Sequence, residues 1–357
     1  MHVPDGFINA PVSAAAGVVA AAAVAVSLRG ARKELGGAPQ AGDLGGERIA
    51  PLAGLVAAFV FAVQMLNFPV AAGTSGHLLG GALAAILVGP WTGVLCIAVV
   101  LLMQGVLFAD GGLTALGVNI TVMGVVTVVT AHLLFRGLRL VLPRNRGGVT
   151  AATFVAALVS VPASAAAFTL VYAVGGTTEV PIGKVLTAML GVHVLIGVGE
   201  AVITMLTVGA VLAVRPDLVY GARGLTAPLK LRVDGELVDA APAPAAAPAT
   251  KSPKKVWIGG VVTALVLAGV VSFYASASPD GLEKVAADQG IDAKAEEYEH
   301  ATADSPLADY GVRGVDSARL SGGLAGVIGV GVTLAVGTGA FWAVRRRRTG
   351  DTTGARV

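Results

Sequence analysis

The sequence predicts an all-α protein, a polytopic membrane helical bundle with a seven-helix core and a two-helix C-terminal unit. Composition is the first reason. Of the 357 residues, 55% are hydrophobic and only 13% are charged, whereas soluble domains contain roughly 25% charged residues. The second reason is a series of nine apolar stretches, most of them close to the roughly 20 residues that a helix needs to cross a bilayer.

The nine predicted spans divide into a core at 1–214 and a C-terminal unit at 256–344. The third span is short and rich in glycine, which suggests a broken or tilted helix that is buried in protein or lines a cavity. We expect the first span to be retained rather than cleaved as a leader, because no basic segment precedes it and Asp5 stands before it. The predicted spans are 10–28, 50–68, 78–89, 91–108, 117–140, 150–174, 185–214, 256–277 and 319–344.

Basic residues cluster after the first, fifth, seventh and ninth spans. With nine spans these four regions share one side, which the positive-inside rule assigns to the cytoplasm. The sequence therefore predicts a multi-pass protein of the bacterial plasma membrane, with its N-terminus outside and a basic cytoplasmic tail at 345–357. Residues 215–255 are predicted to be a cytoplasmic linker with an extended Ala/Pro spacer at 240–250. The net charge of +3 follows from this topology and does not indicate a nucleic-acid partner.

The first two residues form a candidate metal clamp. The amine of Met1, the backbone nitrogen of His2 and the nearer ring nitrogen of His2 can bind one ion together. The first two nitrogens close a five-membered ring with the metal, and the last two close a six-membered ring, so neither ring is strained. The alternative is that His2 is only a polar residue at a frayed terminus.

A second histidine, His77, lies in the glycine-rich stretch between the second and third spans. Thr74 or Ser75 could cap the following helix, and His77 at its outer start could turn inward as a ligand. The alternative is a capping turn with a solvated histidine. With His77 the clamp would contain four nitrogens, a set that suits Ni(II) or Cu(II), with Co(II) possible.

Other polar residues lie within or beside the spans. His193 and Glu200 share one face of the seventh span, where ionisable groups are costly and indicate function by default. Glu200 could instead be paired or protonated to hold helices together. Asn67 lies close enough to the outer loop to support the site. Asp110 could orient a ligand histidine, or it could be an ordinary turn aspartate.

Four separated stretches resemble, in order, the substrate-binding membrane subunit of cobalt/nickel energy-coupling-factor transporters (the CbiM/NikM-like component). They are Met-His-Val-Pro-Asp-Gly-Phe at 1–7, Gly-Thr-Ser-Gly-His-Leu-Leu-Gly-Gly at 73–81, Leu-Phe-Ala-Asp-Gly-Gly-Leu-Thr-Ala-Leu-Gly at 107–117, and the helix segment 193–204. The C-terminal unit is similar to the small auxiliary subunit of the same systems (CbiN/NikN-like), and its signature is Pro-Asp-Gly-Leu-Glu at 279–283.

The resemblance implies a metal site made of the Met1 amine, the amide and ring of His2, and His77. The transported substrate would be Ni(II) or Co(II), and we expect no bound organic cofactor. The implied partners are a membrane coupling subunit and ATPase subunits, with the auxiliary unit aiding metal loading from outside. The chain contains no Gly-x-x-x-x-Gly-Lys-Ser/Thr phosphate loop. We therefore expect a transport component and not an enzyme.

Two rival functions remain open at this level. Gly-Thr-Ser-Gly at 73–76 fits the short pattern of rhomboid-like intramembrane serine proteases, with Ser75 as nucleophile and His193 as base. That interpretation leaves the N-terminal motif, His77 and the C-terminal unit unexplained. The second rival is a channel without a high-affinity site.

Overall fold

The computed structural model describes residues 1–36, 49–71, 73–223, 230–233, 236–239, 254–293 and 300–350. The predicted all-α class is confirmed, because helices dominate these residues and strands form only two small antiparallel hairpins. The hairpins are β1 (Phe68–Ala71) with β2 (Thr74–Gly76), and β3 (Lys230–Val233) with β4 (Glu236–Asp239). The spacer predicted at 240–250 and the end of the tail at 351–357 lie outside the described residues.

The described part of the chain contains eleven α-helices. A π-helical segment, Ile120–Val126, joins α5 to α6 and makes them one continuous rod. The helices are α1 (Ala10–Gly36), α2 (Ile49–Gln64), α3 (Gly81–Val88), α4 (Pro90–Leu107), α5 (Leu116–Asn119), α6 (Thr127–Val141), α7 (Arg146–Gly175), α8 (Ile182–Val214), α9 (Lys254–Gly269), α10 (Gly281–Gln289) and α11 (Ala318–Gly350).

The nine predicted spans differ in length, as the short third span led us to expect. In the described ranges, seven helices are long and apolar enough to cross a bilayer, and the apolar part of α2, Pro51–Gln64, is shorter. The predicted third span at 78–89 is only the eight-residue helix α3, which is about 12 Å long at 1.5 Å per residue. Gly80 delays the start of α3 because it adopts a left-handed conformation with φ of 84°, which favours glycine.

The two ends of α4 contact regions of different chemistry. At its start, the Glu34 carboxylate from the end of α1 accepts hydrogen bonds from the backbone nitrogens of Trp91 (3.2 Å) and Thr92 (2.8 Å). Basic side chains of the second half of α6 and of the segments after α6 and α8 line a cavity near this end, together with the last part of α3. Gln104, about 18 Å further along α4 from Thr92, contacts the N-terminal segment of the chain.

The C-terminal unit packs on the core, a question that sequence reasoning left open. Helix α11 lies against α2 so closely that a Cβ added at Gly54 would meet Thr338 and one added at Gly329 would meet Phe61. The residues that follow α8 also lie on the core. They form two short 3-10 turns at 216–222, where Val219 is fully buried.

Candidate metal centre

The N-terminal segment is held inside the bundle by paired hydrogen bonds. The Val3 nitrogen donates to Asn119 Oδ1 (2.8 Å), and Asn119 Nδ2 donates back to the Val3 oxygen (3.1 Å). The Asp5 carboxylate accepts a hydrogen bond from the Thr114 nitrogen (2.8 Å) and another from the Thr114 hydroxyl. Met1 is therefore only 2% exposed, and its amine has a defined position.

The Met1 amine meets two side chains from distant parts of the chain. As an ammonium it donates to His77 Nε2 at 2.6 Å and to Asp280 Oδ2 at 2.5 Å. His77 Nε2 and Asp280 Oδ2 lie 3.4 Å apart. The Met1 nitrogen, His77 Nε2 and Asp280 Oδ2 are all possible metal ligands, and they form a compact triangle that is buried at the mouth of the helical bundle.

His77 has its orientation set by the segment that follows β2. The Glu200 carboxylate of α8 accepts hydrogen bonds from the backbone nitrogens of Leu79 (2.6 Å) and Gly80 (3.1 Å), which holds this extended segment. His77 Nδ1 donates to the Leu78 oxygen at 3.0 Å. The Nε2 lone pair then faces the Met1 amine, and a backbone carbonyl on the opposite ring nitrogen is the usual support of a metal-binding histidine.

His2 stacks against His77, with ring centroids 5.1 Å apart. Its Nδ1 lies 3.2 Å from Asp110 Oδ1, and its Nε2 lies 3.1 Å from Gln104 Oε1. Burial lowers the pKa of His2 to about 4, although Asp110 opposes this shift. This shift favours the neutral form of His2, which is the form that binds metal ions.

Tyr310 of the C-terminal unit closes this network. Its hydroxyl donates to Asp110 Oδ2 at 2.5 Å and accepts from Gln104 Nε2 at 3.0 Å. Burial and the Asp110 carboxylate raise the pKa of Tyr310 well above its ordinary value, so the hydroxyl stays a donor. Asp110 thus contacts a histidine, and Tyr310 is a further residue that sequence reasoning missed.

Asp280 is the second missed residue, and it belongs to the stretch identified only as the signature of the C-terminal unit. It caps α10: its Oδ1 accepts from the backbone nitrogens of Leu282 (2.7 Å) and Glu283 (2.9 Å). Burial alone would raise the pKa of the Asp280 carboxyl, but the Met1 ammonium and His77 hold it well below its ordinary value. Asp280 is therefore a carboxylate in the site.

The remaining predicted residues surround the centre without joining it. The Ser75 hydroxyl donates to the Ser278 oxygen (2.7 Å), and His193 Nδ1 donates to the Met189 oxygen (2.8 Å). The described residues therefore show no hydrogen bond between Ser75 and His193, and nothing supports the protease alternative. Thr74 is buried in β2, and the Asn67 carbonyl accepts from the Ser276 nitrogen at 2.7 Å.

A cavity of about 620 Å³ opens onto the centre. Both units line it, the core with His2, His77 and Asn67 and the C-terminal unit with Asp280 and Tyr310. One ligand atom each from His2, His77 and Asp280 lies within 4.8 Å of the others. Neutral imidazoles with a carboxylate and an amine form a set that can hold a first-row transition-metal ion.

The structure is thus a bundle of helices long enough to cross a membrane, and it carries a buried set of possible metal ligands. A family model described as the cobalt uptake substrate-specific transmembrane region, CbiM, matches residues 2–218, and a PDGLE domain model matches residues 254–346. The first model covers more than half of the chain. The chain therefore belongs to the CbiM family, with a PDGLE domain fused behind the family region, and the resemblance noted in the sequence is confirmed.

Proteins whose names refer to metal transport are similar to this chain as well. The chain is 38% identical over 220 residues to a putative metal transport protein of Haloquadratum walsbyi, a match that covers 62% of this chain and 94% of that protein. It is 36% identical over 221 residues to a putative fused nickel transport protein of Archaeoglobus fulgidus, covering 61% of this chain and 68% of that protein. A crystal structure of a truncated transition metal transporter aligns with a TM-score of 0.50 at 25% identity, covering 60% of this chain and 99% of that chain.

Proposed function

We propose that this chain is the substrate-capture component of an ATP-driven energy-coupling-factor importer for Ni(II) or Co(II). The observation that carries the proposal is the approach of the Met1 amine to His77 Nε2 at 2.6 Å, with the His2 ring stacked beside them. The ion would be bound by the Met1 amine, the amide and ring nitrogens of His2, and His77. The relatives named as metal and nickel transport proteins support the substrate class.

The spacing of the donors agrees with this ligand set. Metal–imidazole bonds of about 2.0–2.1 Å, the length known for zinc, set neighbouring ligands at 90° about 2.9 Å apart. The amine and His77 Nε2 are close to that separation at 2.6 Å. To complete the six-membered chelate ring, His2 Nδ1 exchanges its contact with Asp110 for the ion.

Capture is coupled to loss of protons. The amine and the amide nitrogen of His2 must both lose a proton to bind the ion, so binding weakens in acid. His2 contributes no further proton near neutrality, because burial lowers its pKa to about 4. The reorientation that releases the ion inward is driven by ATP hydrolysis in the partner ATPase subunits, which act through a membrane coupling subunit.

The same arrangement supports the proposed membrane orientation. The basic residues in the second half of α6 and after α6 and α8 lie near the end of the bundle that holds Glu34, whereas the amine and His77 lie near Gln104 at the other end of α4. The positive-inside rule assigns the basic end to the cytoplasm. The N-terminus and the metal centre then face outward, and the basic tail is cytoplasmic.

Uptake of labelled nickel or cobalt into cells that also produce the coupling and ATPase subunits tests the proposal. His2→Ala removes the ring donor and is expected to reduce uptake to the level of cells without this chain. His132→Ala is the matched control, because His132 lines the cavity at the basic end, and its uptake should stay near normal. Normal uptake by the His2→Ala protein would refute the proposed ligand set.

A further inference from the structure

We propose that Asp280 Oδ2 is an apical oxygen ligand of the transported ion, so that the C-terminal unit completes the metal site. This inference rests on the proposed function and extends it. The planar nitrogens come from the core, whereas the apical oxygen comes from a residue more than 200 positions later in the chain. The C-terminal unit then takes part directly in coordination, in addition to packing on the core.

The inference rests on the distances among the Met1 amine, His77 Nε2 and Asp280 Oδ2. Oδ2 of Asp280 lies 2.5 Å from the Met1 amine and 3.4 Å from His77 Nε2. For an ion with bonds of about 2.0–2.1 Å, these separations correspond to ligand–metal–ligand angles of about 75° and 110°. Both angles lie nearer to 90° than to 180°. Asp280 Oδ2 is therefore adjacent to each of the two nitrogens and opposite to neither.

The stereochemistry of the clamp then leaves one kind of position for Asp280. The two fused chelate rings put the Met1 amine and the His2 ring nitrogen opposite each other, with the His2 amide nitrogen between them. His77 takes the fourth corner of the plane, opposite the amide. An oxygen that is adjacent to both the amine and His77 cannot enter this plane. It lies above it, at an apical position.

The two carboxylate oxygens of Asp280 make different contacts. Oδ1 accepts the backbone hydrogen bonds of Leu282 and Glu283, and Glu283 Oε2 accepts from the Asp280 nitrogen at 2.8 Å, which completes a capping box. This reciprocal cap fixes the carboxylate at the start of α10. Oδ2 makes its contacts only with the amine and His77 among the described hydrogen bonds and ion pairs, so it is the oxygen available to an ion.

Charge balance agrees with the same assignment. The described site contains one ammonium, at Met1, and two carboxylates, Asp280 beside the amine and Asp110 beside His2. With a neutral His2 these groups sum to −1. Entry of one divalent ion displaces one proton from the ammonium and one from the His2 amide, so the ion, the amidate and the two carboxylates again sum to −1. No electron is transferred, and the net charge of the buried site does not change when the ion enters.

X-ray absorption at the nickel K edge of the purified, nickel-loaded full chain tests the inference. Planar four-coordinate Ni(II) shows a resolved 1s→4p feature on the edge, which an apical ligand suppresses. Asp280→Asn is the informative variant. Its amide oxygen still caps α10, so its NH2 group faces the site, and that group does not bind the ion.

We expect the unmodified chain to lack the planar feature and the Asp280→Asn protein to show it, with nickel affinity reduced roughly tenfold or more. Asp288→Asn, an exposed carboxylate of the same helix, is the matched control and should leave the spectrum unchanged. Identical spectra of the Asp280→Asn and unmodified proteins would overturn the inference. An unmodified chain that binds neither nickel nor cobalt would instead refute the proposed function.

Discussion

Docking of the C-terminal unit depends on a glycine that follows the capping aspartate. A Cβ added at Gly281 would lie 2.7 Å from Ile196 Cδ1, 3.0 Å from Val192 Cγ1 and 3.1 Å from His193 Cε1. Ordinary carbon contacts are about 3.5–4.0 Å, so in the Gly281→Ala protein the start of α10 and the facing side chains of α8 must together move apart by roughly 1 Å. Overpacking of this kind costs about 1–3 kcal/mol. The Asp280 carboxylate moves with the start of α10.

Hydrogen exchange measures this effect at the contact itself. The Ser75 amide donates to the Pro279 oxygen (2.8 Å), and the Ser276 amide donates to the Asn67 oxygen (2.7 Å). Both bonds join the two units and break when the C-terminal unit undocks. A cost of about 1–3 kcal/mol predicts about 5- to 150-fold faster exchange of these two amides in the Gly281→Ala protein, since each 1.4 kcal/mol is tenfold.

Two further variants separate crowding from a general loss of stability. Gly191→Ala adds a methyl group to the same helix α8, where no other atom lies within 4 Å, and should leave the exchange rates unchanged. Ile196→Val removes the Cδ1 atom that is in closest contact, and should restore part of the protection when combined with Gly281→Ala. Unchanged exchange of the Ser75 and Ser276 amides in the Gly281→Ala protein would refute the reasoning.

Two other predictions concern the metal centre. Tyr310→Phe removes the hydroxyl that accepts from Gln104 Nε2 but keeps the ring that stacks on Phe108. Gln104 Oε1 contacts His2 Nε2, the ring nitrogen that does not bind the ion. Nickel affinity in a titration of the purified chain should fall up to about 10- to 100-fold when this support of the metal-binding histidine is lost, and an unchanged affinity would contradict the role of Tyr310. The pH dependence should correspond to two released protons. Nickel affinity should fall up to about 100-fold per pH unit as the pH is lowered. His2 adds no third proton above about pH 5, because its lowered pKa of about 4 keeps it neutral there. A plot of log affinity against pH with a slope near zero or three would disagree with the proposed proton balance.

The helical class and the meeting of Met1, His2 and His77 could be predicted from the sequence. Composition predicts the helical class. The chelate ring sizes predict that Met1 and His2 bind one ion together, and the distribution of basic residues predicts that His77 lies on the same face of the membrane. The structure brings them together as expected, with the amine 2.6 Å from His77 Nε2, while their role as ligands stays a prediction. The glycine content of the apolar run 78–89 indicated a broken or tilted helix, and α3 is indeed short and buried. The sequence did not show that the residues before α3 form an extended segment held by Glu200.

The contribution of the C-terminal unit could not be predicted in the same way. Asp280 begins a capping box, a pattern that indicates only the start of a helix. Its position at the metal centre depends on close packing of α11 against α2 and of Gly281 against α8, contacts between segments that are far apart in sequence. Tyr310 is a single aromatic residue in a polar segment, and its contact with Asp110 spans 200 positions. No local pattern signals either contact.

The nickel content of the purified chain with and without a free amine on Met1 tests the central claim most directly. A chain that keeps the formyl group on Met1 retains every side chain of the site and loses only the amine donor. Mass spectrometry verifies the two forms before each is equilibrated with nickel. We predict one ion per chain for the free amine and none for the formylated form. Equal nickel binding by the two forms would contradict the account.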